Sequence, residues 1–167
     1  QESLRKVNQS LRSFSECSKA ITRLDDELEL MQQICRICVD VGGHSMAWVA
    51  YGENDPQKKL RSLTYWGANG CLLKSLEASW DDTERGQGPA GTCIRTGEIT
   101  ISQNLLTDPN YRPWRDEAEK CGYGSCIALP LIIDEQVFGS LVIFDQNTDV
   151  FDKEKVSLLE ELAGDVS

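Results

Sequence analysis

The chain has 167 residues, of which 40% are hydrophobic and 26% are charged, a composition ordinary for one globular domain with a buried core. Its formal net charge of −10 argues against binding to nucleic acid or to an anionic membrane surface, because both attract a basic patch. No apolar run approaches the roughly 20 residues of a membrane-spanning helix, and no signal peptide is visible. The seven cysteines lack the spacing of a metal site or a disulfide framework, which favours a reducing compartment. We expect a cytoplasmic segment and, because it begins with Gln1 and both ends look helical, a piece of a longer protein.

The first predicted element is an amphipathic helix that has little to pack against except another helix. From Leu4 to Ile21 the apolar residues alternate in steps of three and four, interrupted only by Ser18. This is the a/d pattern of a coiled coil over nearly three heptads. We expect residues 1–24 to form a coiled-coil or signalling helix that pairs with its copy in a homodimer.

A second helix is predicted to end near Val41. The heptad phase slips at Asp25-Asp26, and the second of these aspartates has the spacing of a capping box with Glu29. Gly42-Gly43 then provides a stop signal. We expect a break between the two helices, with the second one packing on a sheet and opening the main domain, residues 25–167.

The middle of the chain predicts short strands and short helices separated by polar loops. The segment after Gly88 has the clearest helix ends, with Pro89 at the first helical position and Gly97 just past the last turn. Gly122 is a similar stop signal for a later helix. The predicted strands are 44–51, 60–66 and 98–102, and the predicted helical segments are 71–76, 89–96 and 114–120.

Two almost wholly apolar runs, Ile127–Ile133 and Val137–Phe144, form the segment around which the rest is organised. Only three polar residues join them, so the two strands must pair antiparallel. Strands that are apolar on both sides need cover on both faces of the sheet. The small residues Gly139 and Ser140 predict that something approaches the sheet closely at that point.

The last predicted element is a helix capped by Asp152. Its apolar residues recur at heptad spacing, which predicts a second seam that pairs with its copy in a parallel homodimer. The seam residues are Val156, Leu159, Ala163 and Val166.

The order of these elements and several motifs resemble a GAF domain, of a bacterial subtype common in sensor histidine kinases and diguanylate cyclases. The similarity extends over residues 25–167. The motifs that carry it are MAWVAY (46–51), WDDTERGQGPAGTCIRTGE (80–98), DPNYRPWRDEAEKCGYGSCIALPL (108–131), VFGSLVIF (137–144) and FDKEKVSLLEELA (151–163).

The resemblance implies an α+β fold in α/β/α layers, with a six-stranded antiparallel sheet. The N-terminal and C-terminal helices are expected on one face and a ligand pocket on the other. It also implies a regulatory role, with a covalently linked output domain in the full-length protein. It names no individual ligand or cofactor.

The best ligand-binding candidate is the glycine-rich stretch at the start of the helix after Gly88. Unpaired N–H groups and the positive end of the helix dipole suit an anionic or carbonyl-bearing molecule, and glycines let the backbone approach it. The alternative is a well-capped helix that merely covers the sheet. The candidate residues here are Gly88, Gly91, Thr92 and Cys93.

Aromatic residues and strand ends supply further candidates, which family topology places around the same pocket. Aromatic walls with one guanidinium could hold a planar or anionic ligand, although tryptophans are at least as often plain core. Arg115 could equally pair with nearby carboxylates. The candidates are Trp66, Trp80, Thr83, Asn104, Trp114, Arg115, Ser125 and Cys126.

Enzymatic chemistry is not expected. The Cys35-x-x-Cys38 motif lies within a helix, whereas thioredoxin-like chemistry needs it at the start of a helix that follows a strand. Cys93, Cys121 and Cys126 resemble the cysteines of free methionine sulfoxide reductases, another branch of the GAF family, but the surrounding residues do not match. His44, the lone histidine, is expected on the surface, and no metal site is indicated.

The sequence therefore favours a regulatory domain that binds an unidentified small molecule and passes the change through its terminal helices. Two alternatives stay open: a structural dimerisation module whose tryptophans fill the pocket, and a thiol redox sensor or reductase.

Overall fold

The structure, a computed structural model, describes residues 24–52, 56, 58–67, 78–133 and 135–166. The predicted seam from Leu4 to Ile21 and the predicted helical turn at 71–76 lie outside the described residues. Among the described residues, no helix combines the length and hydrophobicity required to cross a bilayer.

A single antiparallel sheet forms the centre of the fold. Its order is β2-β1-β5-β4-β3, so the hairpin strands lie in the middle. The resemblance implied six strands, whereas the described residues form five. Next to the start of β2, Lys59 forms an isolated antiparallel bridge with Ser79. The strands are β1 (Met46–Gly52), β2 (Leu60–Trp66), β3 (Thr100–Ser102), β4 (Ser125–Ile133) and β5 (Gln136–Asp145).

The described residues also form four α-helices and two short 3-10 helices. The described part of the first α-helix begins at Leu24 and includes Asp26, so the predicted capping box at Asp26 is wrong. The predicted break between the two helices borders residues outside the described ones and stays a prediction. The α-helices are α1 (Leu24–Asp40), α2 (Pro89–Thr96), α3 (Arg115–Cys121) and α4 (Lys153–Val166), and the 3-10 helices are Glu84–Gly86 and Pro109–Trp114.

Both terminal helices, α1 and α4, pack on one face of the sheet, as predicted. Residues of α1 such as Ile34 and Cys35 are fully buried against odd-numbered residues of the strands. The strand residues on this face include Ala47, Val49, Ile127, Leu129, Leu131, Leu141 and Ile143.

The predicted dimer seam of α4 is wrong at two of its positions. Leu159 and Ala163 are only 5% and 3% exposed, because they pack together with Leu162 in the core against the sheet. A stripe with steps of three and four lies on one side of a helix whether it faces a sheet or another helix. The spacing alone therefore could not distinguish the two.

The opposite face of the sheet is covered by α2, α3 and the loops around them. Even-numbered strand residues such as Trp48 and Cys126 point to this side, since side chains alternate along a strand. Both hairpin strands are thus covered on both faces, which confirms the interpretation of their apolar runs. The close approach predicted at Gly139 is made by the neighbouring strand: a Cβ there would lie 2.3 Å from the carbonyl oxygen of Ala50.

The prediction that His44 is a surface residue is wrong. The residue is only 7% exposed, and its Nδ1 lies 2.8 Å from the carboxylate of Asp145, which is 6% exposed. Its ring stacks on Phe151 at a centroid distance of 5.6 Å. The pair therefore joins the end of β5 to the segment between α1 and β1, close to the start of α4.

Candidate ligand-binding site

A small, partly open cavity lies between the sheet and the segment that includes the start of α2. About 20 Å³ is open to the centre of a water molecule, which is room for about one water. The cavity is small because aromatic side chains fill most of the space. Its lining consists of Trp48, Leu60, Ala78, Arg85, Gly88, Pro89, Ala90, Gly91, Tyr111, Trp114, Cys126, Val142 and Phe144.

The ends of α2 agree with the sequence prediction. Gly88 is the N-cap in an extended conformation, Pro89 follows at the first position, and Gly97 has a φ of 74° just past the last turn. The N–H of Gly97 donates to the carbonyl of Cys93 at 2.8 Å. This left-handed backbone conformation favours glycine, so the helix can end there without strain.

Two glycines at the start of α2 are closely approached by other parts of the chain. A Cβ on Gly88 would lie 2.6 Å from Cζ3 of Trp114, whose indole covers the helix N-terminus. A Cβ on Gly91 would lie 2.3 Å from the carbonyl oxygen of Ser79 and 2.7 Å from that of Gly86. Packing within the chain is therefore sufficient to explain both glycines, and contact with a ligand stays a prediction.

Arg95 of α2 holds the preceding loop in place, a role that sequence reasoning missed. Its Nη1 donates to the carbonyl oxygens of Asp81 at 2.6 Å, Gly86 at 2.9 Å and Trp80 at 3.4 Å. These contacts tie residues 80–86 to the helix that borders the cavity. No local signal marks this role, because the acceptors are backbone carbonyls.

Trp66 lies on the helical face of the sheet, so the expectation that it borders the pocket is wrong. It pairs with Ala47 of β1, and directly paired residues share a face. Its Nε1 donates to Asp40 of α1 at 3.2 Å.

The strand tryptophan that does line the cavity is Trp48, which the sequence analysis left out. It is 3% exposed, and its Nε1 has no hydrogen-bond partner among the described residues. The signal was present in the alternation of β1, where Met46, Trp48 and Ala50 fall on the side opposite to Ala47 and Val49.

The other predicted site residues divide between the lining and its surroundings. Gly88, Gly91, Trp114 and Cys126 come together in the lining, whereas Cys93 is buried behind it. Outside the lining, Lys58 lies over the ring of Trp80, and the remaining side chains make local hydrogen bonds. Those bonds are Thr83 to Asp81, Thr92 to the Gln87 carbonyl, Leu106 N–H to Asn104, Arg115 to the Asp108 carbonyl and Ser125 to the Asn147 carbonyl.

The aspartates of the loop accept hydrogen bonds from residues close to them in the chain. Asp81 accepts hydrogen bonds from Thr83 and Ser79, which lower the pKa of its carboxyl group. Asp82 accepts one from Gln87. No group of residues that could hold a metal ion is found among the described residues.

The cysteines differ in bonding state. Cys121, at the end of α3, is disulfide-bonded, which corrects the expectation that the cysteines form no disulfide; spacing alone does not reveal pairing in the fold. Cys93 and Cys126 are free and buried. Burial raises the pKa of the Cys93 thiol to about 12, an effect that the nearby Ser140 hydroxyl partly offsets. Burial also raises the pKa of Cys126 well above its ordinary value, and the nearby Cys93 adds to this effect.

Alkaline pH is expected to destabilise the protein through its buried thiols. Burial raises the pKa of Cys38 from 9.0 to about 12. Between these values the unfolded chain has lost the proton that the folded chain keeps, so stability is complete below pH 9 and falls as the pH rises toward 12. Each such thiol contributes a slope of about 1.4 kcal/mol per pH unit.

Urea unfolding at several pH values measures this slope, and a Cys38→Ala variant provides the comparison. The two proteins should show parallel pH dependence below pH 9, where the thiol is protonated in both states. Above it the variant should lose stability less steeply. Equal slopes in the alkaline range would show that Cys38 does not keep its proton on folding.

Comparison with known proteins identifies the family. A family model described as GAF domain matches residues 25–167. No curated protein matches the chain significantly.

Solved structures share the fold at low sequence identity. A free methionine-R-sulfoxide reductase from Neisseria meningitidis, in complex with its substrate, is 16% identical and has a TM-score of 0.75, covering 99% of this chain and 88% of that one. The GAF domain of a Coxiella burnetii phosphoenolpyruvate-protein phosphotransferase is 17% identical with a TM-score of 0.72, covering 99% and 90%. A GAF domain region from Geobacter sulfurreducens is 19% identical with a TM-score of 0.70, covering 89% and 95%.

These similarities correct the prediction that the chain is not an enzyme. Methionine-R-sulfoxide reductases with this fold are catalysts, so the fold gives no ground for excluding catalysis. The α+β fold is the one expected for the family whose model matches residues 25–167. The chain belongs to the GAF domain family.

Proposed function

We propose that this domain is the small-molecule-sensing input domain of a larger, cytoplasmic bacterial signal-transduction protein of the histidine kinase or diguanylate cyclase type. The observation that carries the proposal is that the cavity and the two terminal helices lie on opposite faces of one sheet. A change in the cavity can therefore reach the helices through a single layer of strands.

Neighbouring residues of the central strands connect the two faces. In β1, Trp48 lines the cavity, while Ala47 and Val49 pack in the core with α1 and α4. In β5, Val142 lines the cavity, while the residues on either side of it face the helices. A shift of these strands would move both sets of contacts, which is how a packed domain converts a local change into helix movement.

The proposed output passes through the terminal helices to a covalently linked output domain, with the protein acting as a homodimer. Leu28 of α1 is 43% exposed and points away from the core, so it is available to a partner helix. Because Leu159 and Ala163 are used within the domain, the dimer proposal rests mainly on the N-terminal helix.

A ligand larger than water must displace side chains, chiefly Trp114, to enter the cavity. The structure thus corresponds to a closed state, and a ligand that binds the open state better would shift the population toward it. If no ligand exists, the closed cavity is what a purely structural dimerisation module would have. The experiment must separate these two functions.

Native mass spectrometry and thermal-shift screening of the purified protein provide this test. A ligand at a hundredfold excess over its dissociation constant should stabilise the protein by about 2.7 kcal/mol. Ala90→Phe, which places a ring in the cavity, should abolish the effect, whereas Thr107→Phe at an exposed site should leave it unchanged. A bare polypeptide mass together with no stabilising compound would favour the structural module.

A second candidate function is reduction of a small sulfoxide. Two observations favour it: Cys126 lines the cavity, and Cys121 at the end of α3 is already disulfide-bonded. In such a reaction an external dithiol first reduces the Cys121 disulfide. Two thiols then reduce the sulfoxide, whose oxygen leaves as water, and are themselves oxidised to a disulfide that the external dithiol reduces again.

Incubation with free methionine-R-sulfoxide and a dithiol reductant tests this second function. Methionine should appear with the parent protein and not with Cys121→Ser or Cys126→Ser, whereas Cys38→Ala on the opposite face should remain active. Turnover that is unaffected by the Cys121 and Cys126 substitutions would contradict a role for these thiols.

A further inference from the structure

Trp48 lines the cavity, and its indole N–H is a buried donor with no acceptor among the described residues. Trp48 is only 3% exposed, so bulk water does not supply the missing acceptor. Most buried polar groups in proteins are paired, and an unpaired one calls for an explanation. A ligand atom that accepts this hydrogen bond would provide one.

The shape of the site is set by flat rings. The indole of Trp114 lies directly on the backbone of Gly88, where even a Cβ would come within 2.6 Å of the ring. Tyr111 packs beside it with ring centroids 5.2 Å apart. If the Trp114 side chain turned away, it would leave a flat slot between the α2 N-terminus and the sheet.

The electrostatics of the site favour a neutral ligand. Arg85 is the one charged residue among the described residues of the lining, and it is itself exposed. The carbonyl oxygens of Ser79 and Gly86 lie against Gly91 at the start of α2. A carboxylate placed among apolar side chains and carbonyl oxygens would lose its hydration without gaining a buried partner.

We propose, on the basis of the ligand-sensing function above, that the cavity binds an uncharged, flat aromatic or heteroaromatic molecule with a hydrogen-bond acceptor. The acceptor takes the N–H of Trp48, and the ring occupies the slot that the Trp114 indole fills in the closed state. This ligand class differs from the anionic or carbonyl-bearing molecule expected from the glycine-rich helix start.

Three probes of nearly equal shape separate the contributions to binding. Quinoline has an acceptor nitrogen and is neutral at neutral pH, naphthalene lacks the acceptor, and 2-naphthoate adds a negative charge. The four tryptophan indole N–H signals of the isotope-labelled protein report binding by nuclear magnetic resonance. The Trp48 signal is identified by its absence in the Trp48→Phe variant.

Quinoline is expected to shift the Trp48 signal downfield and to bind more tightly than either other probe. Trp48→Phe should weaken quinoline binding by about tenfold and leave naphthalene binding unchanged, because only one neutral hydrogen bond is lost. Trp114→Ala, which opens the slot, should tighten the binding of both neutral probes. If Trp114→Ala fails to fold, the parent protein and Trp48→Phe still supply the shift measurement.

Other outcomes overturn this inference without overturning ligand sensing. Tighter binding of 2-naphthoate than of quinoline would show an anion site, and a quinoline shift at other tryptophans without one at Trp48 would remove the proposed donor. Failure of all three probes on both the parent and Trp114→Ala would also reject this ligand class. The sensing function is judged separately, by the co-purified mass and the compound screen.

Discussion

Replacement of Asp145 by Ala is expected to lower the free energy of unfolding by about 3–5 kcal/mol. The carboxylate accepts hydrogen bonds from His44 Nδ1 at 2.8 Å and from the N–H of Asn147 at 2.9 Å, and both would lose their acceptor in a buried environment. Urea unfolding followed by circular dichroism measures the change.

Asp116→Ala serves as the matched control, because this aspartate lies exposed in the first turn of α3 and should change stability by less than about 1 kcal/mol. A double-mutant cycle with His44→Phe isolates the pair. Losses that simply add would show that His44 and Asp145 do not interact energetically, contrary to the geometry.

The position of the His44–Asp145 pair also predicts an effect on function. His44 lies between α1 and β1, and its ring stacks on Phe151, which immediately precedes α4. Loss of the pair should therefore loosen the connection of both terminal helices to the sheet. In the full-length protein we expect Asp145→Ala to weaken the ligand response more than ligand binding.

Replacement of Arg95 by Met is expected to release the loop at residues 80–86 from α2. Methionine keeps the aliphatic part of the side chain and removes the guanidinium that donates to the carbonyls of Asp81, Gly86 and Trp80. Loss of these charge-assisted bonds should lower stability by about 3 kcal/mol. If the lost free energy makes local opening of the loop easier, the rate of trypsin cleavage after Arg85 should rise roughly a hundredfold.

Mass spectrometry of the cleavage products measures the effect at Arg85, and Arg112→Met is the control because Arg112 is exposed on the other 3-10 helix. Unchanged cleavage at Arg85 in the Arg95→Met variant would mean that the loop is held by other contacts. Arg85 in this loop lines the cavity, as do the flanking residues Ala78 and Gly88, so a released loop should also weaken ligand binding.

The fold itself does not decide between sensing and catalysis. A free methionine-R-sulfoxide reductase and the GAF domain of a phosphoenolpyruvate-protein phosphotransferase share it at less than 20% identity with this chain. Function depends on the chemistry of the site rather than on the fold that carries it. In the functions proposed for this chain, Trp48 and Trp114 would serve ligand binding, and Cys121 and Cys126 would serve sulfoxide reduction.

Much of the secondary structure could be predicted from local patterns. The bounds of β2, the Pro89 start and Gly97 end of α2, and the Gly122 stop of α3 all agree with the sequence signals. These features depend on backbone conformations that particular residues favour or forbid, so neighbouring residues suffice to predict them. The two-sided apolar pattern of β4 and β5 likewise predicted cover on both faces.

Contacts between distant parts of the chain could not be predicted in this way. The pairing of His44 with Asp145 joins residues 101 positions apart, and the acceptors of Arg95 are carbonyls that every residue possesses. Trp66 was placed on the wrong face because that choice depends on its register with Ala47 across two strands. The α4 stripe was assigned to a partner helix because sheet packing and coiled-coil pairing require the same spacing.

The sequence by itself determined the family, the α+β class and the ends of the short helices, because motifs, periodicity and special backbone residues are local properties. Only the tertiary structure decided which tryptophans reach the cavity, that Trp114 lies against Gly88 at the start of α2, and that the Trp48 N–H lacks an acceptor among the described residues. Those outcomes depend on strand register and on the packing of segments far apart in the chain, for which the amino-acid order carries no local signal.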